Sequence, residues 1–199
     1  MISSGYTVTK KKKTDFTQML VPVAIILILG SIFIALFFLA PIQFLLYQPN
    51  GEWFFEPPKM AYYAFIAAIL LVATMLIVTA IAIYKDKMTR GIKGFITLGY
   101  VLSVMIFLLS LNQYHSANQS GIVINRFFSF QDEKYIWEDI TSAEEQSIVK
   151  NGIMSSGKLT LTFSNNKSYS FLLNENVRKA KLAIYYELEK QGIEVKRTQ

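Results

Sequence analysis

Three long apolar runs constrain this chain more than any other feature. Met19–Tyr47 (29 residues), Met60–Tyr84 (25) and Phe95–Leu111 (17) contain no Asp, Glu, Lys, Arg or His. At a rise of about 1.5 Å per residue each reaches across a hydrocarbon core of roughly 30 Å, the third with help from its flanks. The expected architecture is a membrane α-helical region over residues 19–112, with transmembrane helices at about 19–40, 60–84 and 93–112. A hydrophobic content of 52% and a mean hydropathy of +0.33 agree with part of the chain lying in lipid.

Pro41 removes a backbone donor near the far end of the first run, so the first span is expected to stop near residue 40. The following "PIQFLLYQPNGEWFFEPPK" carries Tyr47, Trp53, Phe54 and Phe55 among prolines and glutamates, a composition suited to the headgroup level. A cleaved signal peptide is the rival reading of the N-terminus. The first run is far longer than a signal core of about 7–15 residues and no small-x-small cleavage site follows it, which favours a retained anchor.

Charge sets an expected orientation. The N-terminal segment 1–18 has Lys10, Lys11, Lys12 and Lys13 against Asp15, net +3; the second loop has Lys85, Lys87, Arg90 and Lys93 against Asp86, net +3. The first loop has Lys59 against Glu52 and Glu56, net −1. The positive-inside rule places the N-terminus and second loop in the cytoplasm, so three spans carry the C-terminal region outside a cell membrane. Past Asn112 the chain has 11 basic and 10 acidic residues, so most of the overall +6 is topological signal and nucleic-acid binding is not indicated. The lysine run reads as a cytoplasmic retention signal rather than a lipid-specific patch.

Polar residues within the runs are Ser31, Gln43, Thr74, Thr79, Thr97 and Ser103. Serine and threonine can satisfy their hydroxyls on their own helix, whereas transporters and intramembrane enzymes usually carry ionisable residues there. Gly30, Ala35, Ala64, Ala67, Ala68 and Gly99 read as points of close helix approach. With no cysteine, thiolate metal sites and cysteine nucleophiles are excluded. His115 is the single histidine, with no triad or paired-carboxylate partner to name, so neither catalytic, cofactor nor metal residues are assigned.

"NQYHSANQSG" reads as a polar linker, and a second unit is expected over 118–199. "GIVINRFFSF" alternates Ile122, Ile124 and Phe128 against Val123, Asn125 and Phe127. "KLTLTFSNNKSYSFLL" alternates Leu159, Leu161 and Phe163 against Thr160, Thr162 and Ser164, turns at "SNNK", and continues with Tyr169, Phe171 and Leu173. A helix follows, capped at Asn174 or Asn176, with apolar Val177, Ala180, Ile184 and Leu188, a Glu175–Lys179 pair and Gly192 at its end. The unit is a small α+β domain.

"GIVINRFFSFQDEKYIWEDITSAE", "GKLTLTFSNNKSYSFLL" and "NENVRKAKLAIYYELEKQG" resemble the bacterial PH-like domains attached to membrane helices, over about 75 residues. The resemblance implies an antiparallel sheet or partly open barrel plugged by the C-terminal helix. In it "YIWEDI" is a strand, Trp137 and Ile140 are core residues, and Asp139 fixes the strand end. It implies a non-catalytic binding or assembly module, an accessory subunit with a protein partner or self-association besides the lipid bilayer. The phosphoinositide-reading basic cluster of eukaryotic PH domains is replaced here by "FSFQDEKY", so no lipid site is carried over. The other function class is a subunit of a membrane transporter or enzyme whose catalytic residues lie on a partner chain.

Overall fold

The computed structural model of the protein describes residues 11–47, 51–125, 132–150 and 153–198. The apolar runs form helices α1 (Lys11–Tyr47), α2 (Lys59–Tyr84) and α3 (Arg90–Leu111). Among the described residues these are the three helices long and apolar enough to cross a membrane. The chain divides into two units: Met1–Pro41 with Lys59–Leu111, and Ile42–Pro58 with Asn112–Gln199.

In the helical unit α2 and α3 run antiparallel, fixed by Phe65 against Phe107 at 5.0 Å between ring centroids and by Met75 against Gly99. A Cβ at Gly99 would lie 2.2 Å from Met75 Sδ, so glycine is what lets the helices close there. Ala35, Ala64 and Ala68 are buried as expected of contact residues, whereas Ala67 is exposed and Gly30 meets only Ile34 of its own helix. Large apolar side chains such as Leu29, Phe37 and Leu98 point outward. Ser31, Thr74, Thr79, Ser103 and Ser110 each donate to a carbonyl three or four residues back, at 2.7–2.9 Å, so these hydroxyls add no unpaired donor to the apolar surface.

The second unit holds two sheets. One is antiparallel in the order β1 (Phe54–Glu56), β2 (His115–Asn118), β3 (Gly121–Ile124), β4 (Glu133–Tyr135). The other contains β5 (Ile140–Lys150), β6 (Ile153–Phe163), β7 (Ser168–Leu172) and β8 (Val195–Thr198) in the order β7-β6-β5-β8, with β8 parallel to β5. Helix α4 (Glu175–Lys190) closes a single apolar core shared by both sheets. Phe54, Ala117, Ile122 and Ile124 enter it from the first sheet, Leu159, Leu161, Phe163 and Phe171 from the second, and Val177, Ala180, Ile184 and Leu188 from α4.

Local chemistry explains these elements. Leu159, Leu161 and Phe163 face inward while Thr160 and Thr162 face out, bonding Ser170 and Ser168 across the β6–β7 ladder. The turn at 164–167 uses Asn166 at φ 60°. Asn174 caps α4 by accepting from the Val177 amide, and Glu175 meets Lys179 at 3.0 Å. At the far end Gly192 (φ 72°) donates to Glu189 and Ile193 donates to Leu188, the two bonds of a Schellman stop.

Several expectations are corrected. Helix α1 itself continues past residue 40, through Pro22 and Pro41, to Tyr47. Each proline forfeits one donor, and the last turns are held by Gln43 donating to the Gln113 carbonyl (2.6 Å) and Tyr47 to Asn112 (3.0 Å). The aromatic loop supplies β1: Phe54 is buried edge-on against Phe171, and Trp53 stacks on Trp137 at 5.5 Å. The polar linker contains β2, because β1 and β3 on either side give its backbone partners. The compact unit therefore begins at Ile42 as well as Asn112, wider than 118–199.

"YIWEDI" is not a strand. Tyr135 ends β4, Trp137–Asp139 make one 3-10 turn, and Ile140 opens β5, so the stretch is the corner between the two sheets. Trp137 and Ile140 are core residues there. Phe127 and Phe128, the loop "FSFQ" and Lys10 lie outside the described residues, as do the side chains of Lys11, Lys12 and Lys13.

Candidate functional site

Among the described residues of the α+β unit, two buried clusters gather titratable side chains from different elements. The first gathers on His115, which β2 places opposite Glu56 of β1. Tyr169 brings its hydroxyl 2.7 and 2.8 Å from the two ring nitrogens, and Phe171 meets the ring edge-on. Burial pushes the imidazole down to about pKa 4, so His115 is neutral at physiological pH. Glu56 accepts from Asn174, the α4 cap, and burial holds its carboxyl above the usual range. Phe171 and Tyr169 pack against the imidazole, and its neutral form hydrogen-bonds a phenol. That arrangement is a structural cross-tie between β2 and β7.

The second cluster gathers on Glu145 of β5, 2% exposed. Its Oε1 accepts from Lys181 Nζ at 2.6 Å and its Oε2 from the Tyr185 hydroxyl, both on α4 and four residues apart on one face. The Arg197 guanidinium of β8 stands 3.7 Å from Oε2. Burial and the adjacent carboxylate raise the Tyr185 pKa, keeping the phenol protonated as a donor. A buried carboxylate needs such partners to remain charged. Here it joins three elements, the ladder β5, the helix α4 and the strand β8.

The β5 segment carries no sign of the Glu145 cluster. "TSAEEQSIVK" has no apolar alternation, so nothing marks one glutamate as inward-facing. The weak available signal is Lys181 and Tyr185, a basic and a hydroxylated residue at i, i+4 beside the buried stripe of α4. His115, the residue weighed and set aside in the sequence, is placed in the first cluster and not in the second. Among the described residues, no group of three or more His, Cys, Asp or Glu side chains is placed to hold a metal ion.

The α2–α3 region has an apolar groove lined by Leu27, Ala68, Ile69, Val72, Val104 and Phe107, and its one polar lining residue, Ser103, bonds its own helix backbone. Comparison with known protein families, curated proteins and solved structures finds no match to this chain.

Proposed function

We propose that the protein is a non-catalytic, multi-pass membrane protein that presents a PH-like binding or assembly module outside the cytoplasm, as an accessory subunit of an envelope complex. The observation that carries this reading is the pairing of β1 with β2. β1 lies between α1 and α2, and β2 follows α3, so strand pairing requires that α2 and α3 together return the chain to the side it left. With the N-terminal segment and the second loop, each at +3, on the opposite side, the positive-inside rule puts the α+β unit outside. Support for the PH-like reading is the order of elements: an antiparallel four-strand sheet, a second sheet built on the β5–β6–β7 meander, and a helix whose apolar face enters their common core.

Two measurements test the reading. A C-terminal alkaline phosphatase fusion in a bacterial host is expected to be active and a green fluorescent protein fusion dark; the reverse pair overturns the orientation. Crosslinking with mass spectrometry in native membranes is expected to join lysines of the α+β unit to another protein or a second copy. An unaccompanied chain that turns over a substrate by itself would overturn the non-catalytic role.

A further inference from the structure

Among the described strands, β8 is the one attached to its sheet in parallel. It runs parallel to β5 over four residues, Val195, Lys196, Arg197 and Thr198 opposite Ala143, Glu144, Glu145 and Gln146. Only Val195 is half-buried; the other three are exposed. Arg197 is 73% exposed in its side chain and stands 3.7 Å from Glu145, against 2.6 Å for Lys181. Thr198 adds one bond to Glu144 at 2.7 Å. By contrast β5 and β6 pair along eleven-residue strands, with two register shifts.

Releasing β8 would uncover the backbone edge of Ala143–Gln146, donors and acceptors that require partners. It would not strand a charge, because Glu145 keeps Lys181 and Tyr185. The edge thus stays formed: a backbone ladder with Ala143 and a carboxylate two residues apart on one face. In the strand that fills it, those positions are met by an apolar residue and, two residues on, a basic one.

We propose that the outer edge of β5 is a strand-addition site for an extended segment of a partner protein with the pattern apolar-x-basic, and that residues 195–198 are its occupant in cis. Main-chain pairing supplies affinity, and Glu145 selects the basic residue. The proposal rests on the reading of the α+β unit as a binding module and names the chemistry of what it binds.

The test uses the full chain in nanodiscs, a chain ending at Glu194 that keeps Ile193 against the core, and a labelled peptide of the sequence IEVKRTQ. The shortened chain is expected to bind the peptide. The intact chain should bind it at least about 100-fold more weakly, because the tethered segment competes at an effective millimolar concentration. A peptide carrying glutamate in place of its arginine should bind the shortened chain at least about tenfold more weakly. A folded shortened chain that ignores the peptide, or binds both peptides alike, overturns the proposal. So does exchange of residues 195–198 between two copies.

If the shortened chain does not fold, hydrogen exchange on the intact protein decides. The amides of 195–198 should exchange at least about 100-fold faster than those of Leu159 and Leu161, and equal protection overturns the proposal. Crosslinks that join a partner to the unit away from β5 and α4 would leave the module reading standing while this site falls.

Discussion

Replacing Trp137 with alanine tests the corner between the two sheets. The indole is 3% exposed, stacks on Trp53 at 5.5 Å, and donates from Nε1 to the Asn118 carbonyl at 3.0 Å. Truncation removes most of a large buried ring and leaves a cavity, which together cost about 3–5 kcal/mol. That is a large share of a small unit's stability. A global melt would mix this effect with the helices, so the measurement is native-state hydrogen exchange at Leu159, Leu161 and Phe163, buried on β6. With tenfold per 1.4 kcal/mol, their exchange should accelerate about 10²- to 10³-fold or more. Trp137→Phe keeps much of the volume but loses the donor to Asn118, and should show a smaller acceleration, on the order of tenfold. A change in β6 exchange of less than about threefold in Trp137→Ala, or a water-exposed emission from Trp137 in a Trp53→Phe background, would show that the indole is not part of the core.

Three more outcomes follow from the geometry. The His115 pKa falls from 6.5 unfolded to about 4 folded, so its neutral burial stabilises fully above pH 6.5 and loses roughly 3 kcal/mol as pH drops toward 4. Glu56, with a raised folded pKa, opposes this by gaining stability on acidification, and His115→Gln should flatten the acid limb of a stability–pH curve. Gly121→Ala should unfold the first sheet, because φ is 145° and the new Cβ would sit 2.1 Å from the Tyr135 carbonyl oxygen; loss of amide protection in β3 would show it. Asn174→Ala should destabilise α4 by about 1 kcal/mol through the lost cap, read as faster exchange at Val177.

The helices and the β6–β7–α4 segment were legible because each carries a one-dimensional pattern: apolar length, alternation of two, or a capped stripe. Asn174, Val177, Ala180, Ile184 and Leu188 take the roles their spacing implies. The missed elements lack a pattern of their own. β1 is three residues whose partner lies beyond two helices, β2 is polar in sequence, and β8 exposes three of its four side chains. Glu145 was hidden for the same reason: the partners that hold its buried carboxylate, Lys181 and Tyr185, arrive from α4. "YIWEDI" misled because aromatic and β-branched residues suit both a strand and a buried corner.

The separation of β1 from β2 also sets a timetable. Residues 57–114 lie between them, and at about 5–20 residues per second their synthesis takes roughly 3–12 s, whereas a local hairpin closes in microseconds. β2, β3 and β4 can pair as soon as they emerge, but Phe54 and Trp53 were made first and must wait for them. During that interval the aromatic loop has no sheet to join, and its rings have no core to enter. A variant that delays formation of the α2–α3 pair would therefore surface first as a gap in the core at Phe54, far along the chain from the altered residue.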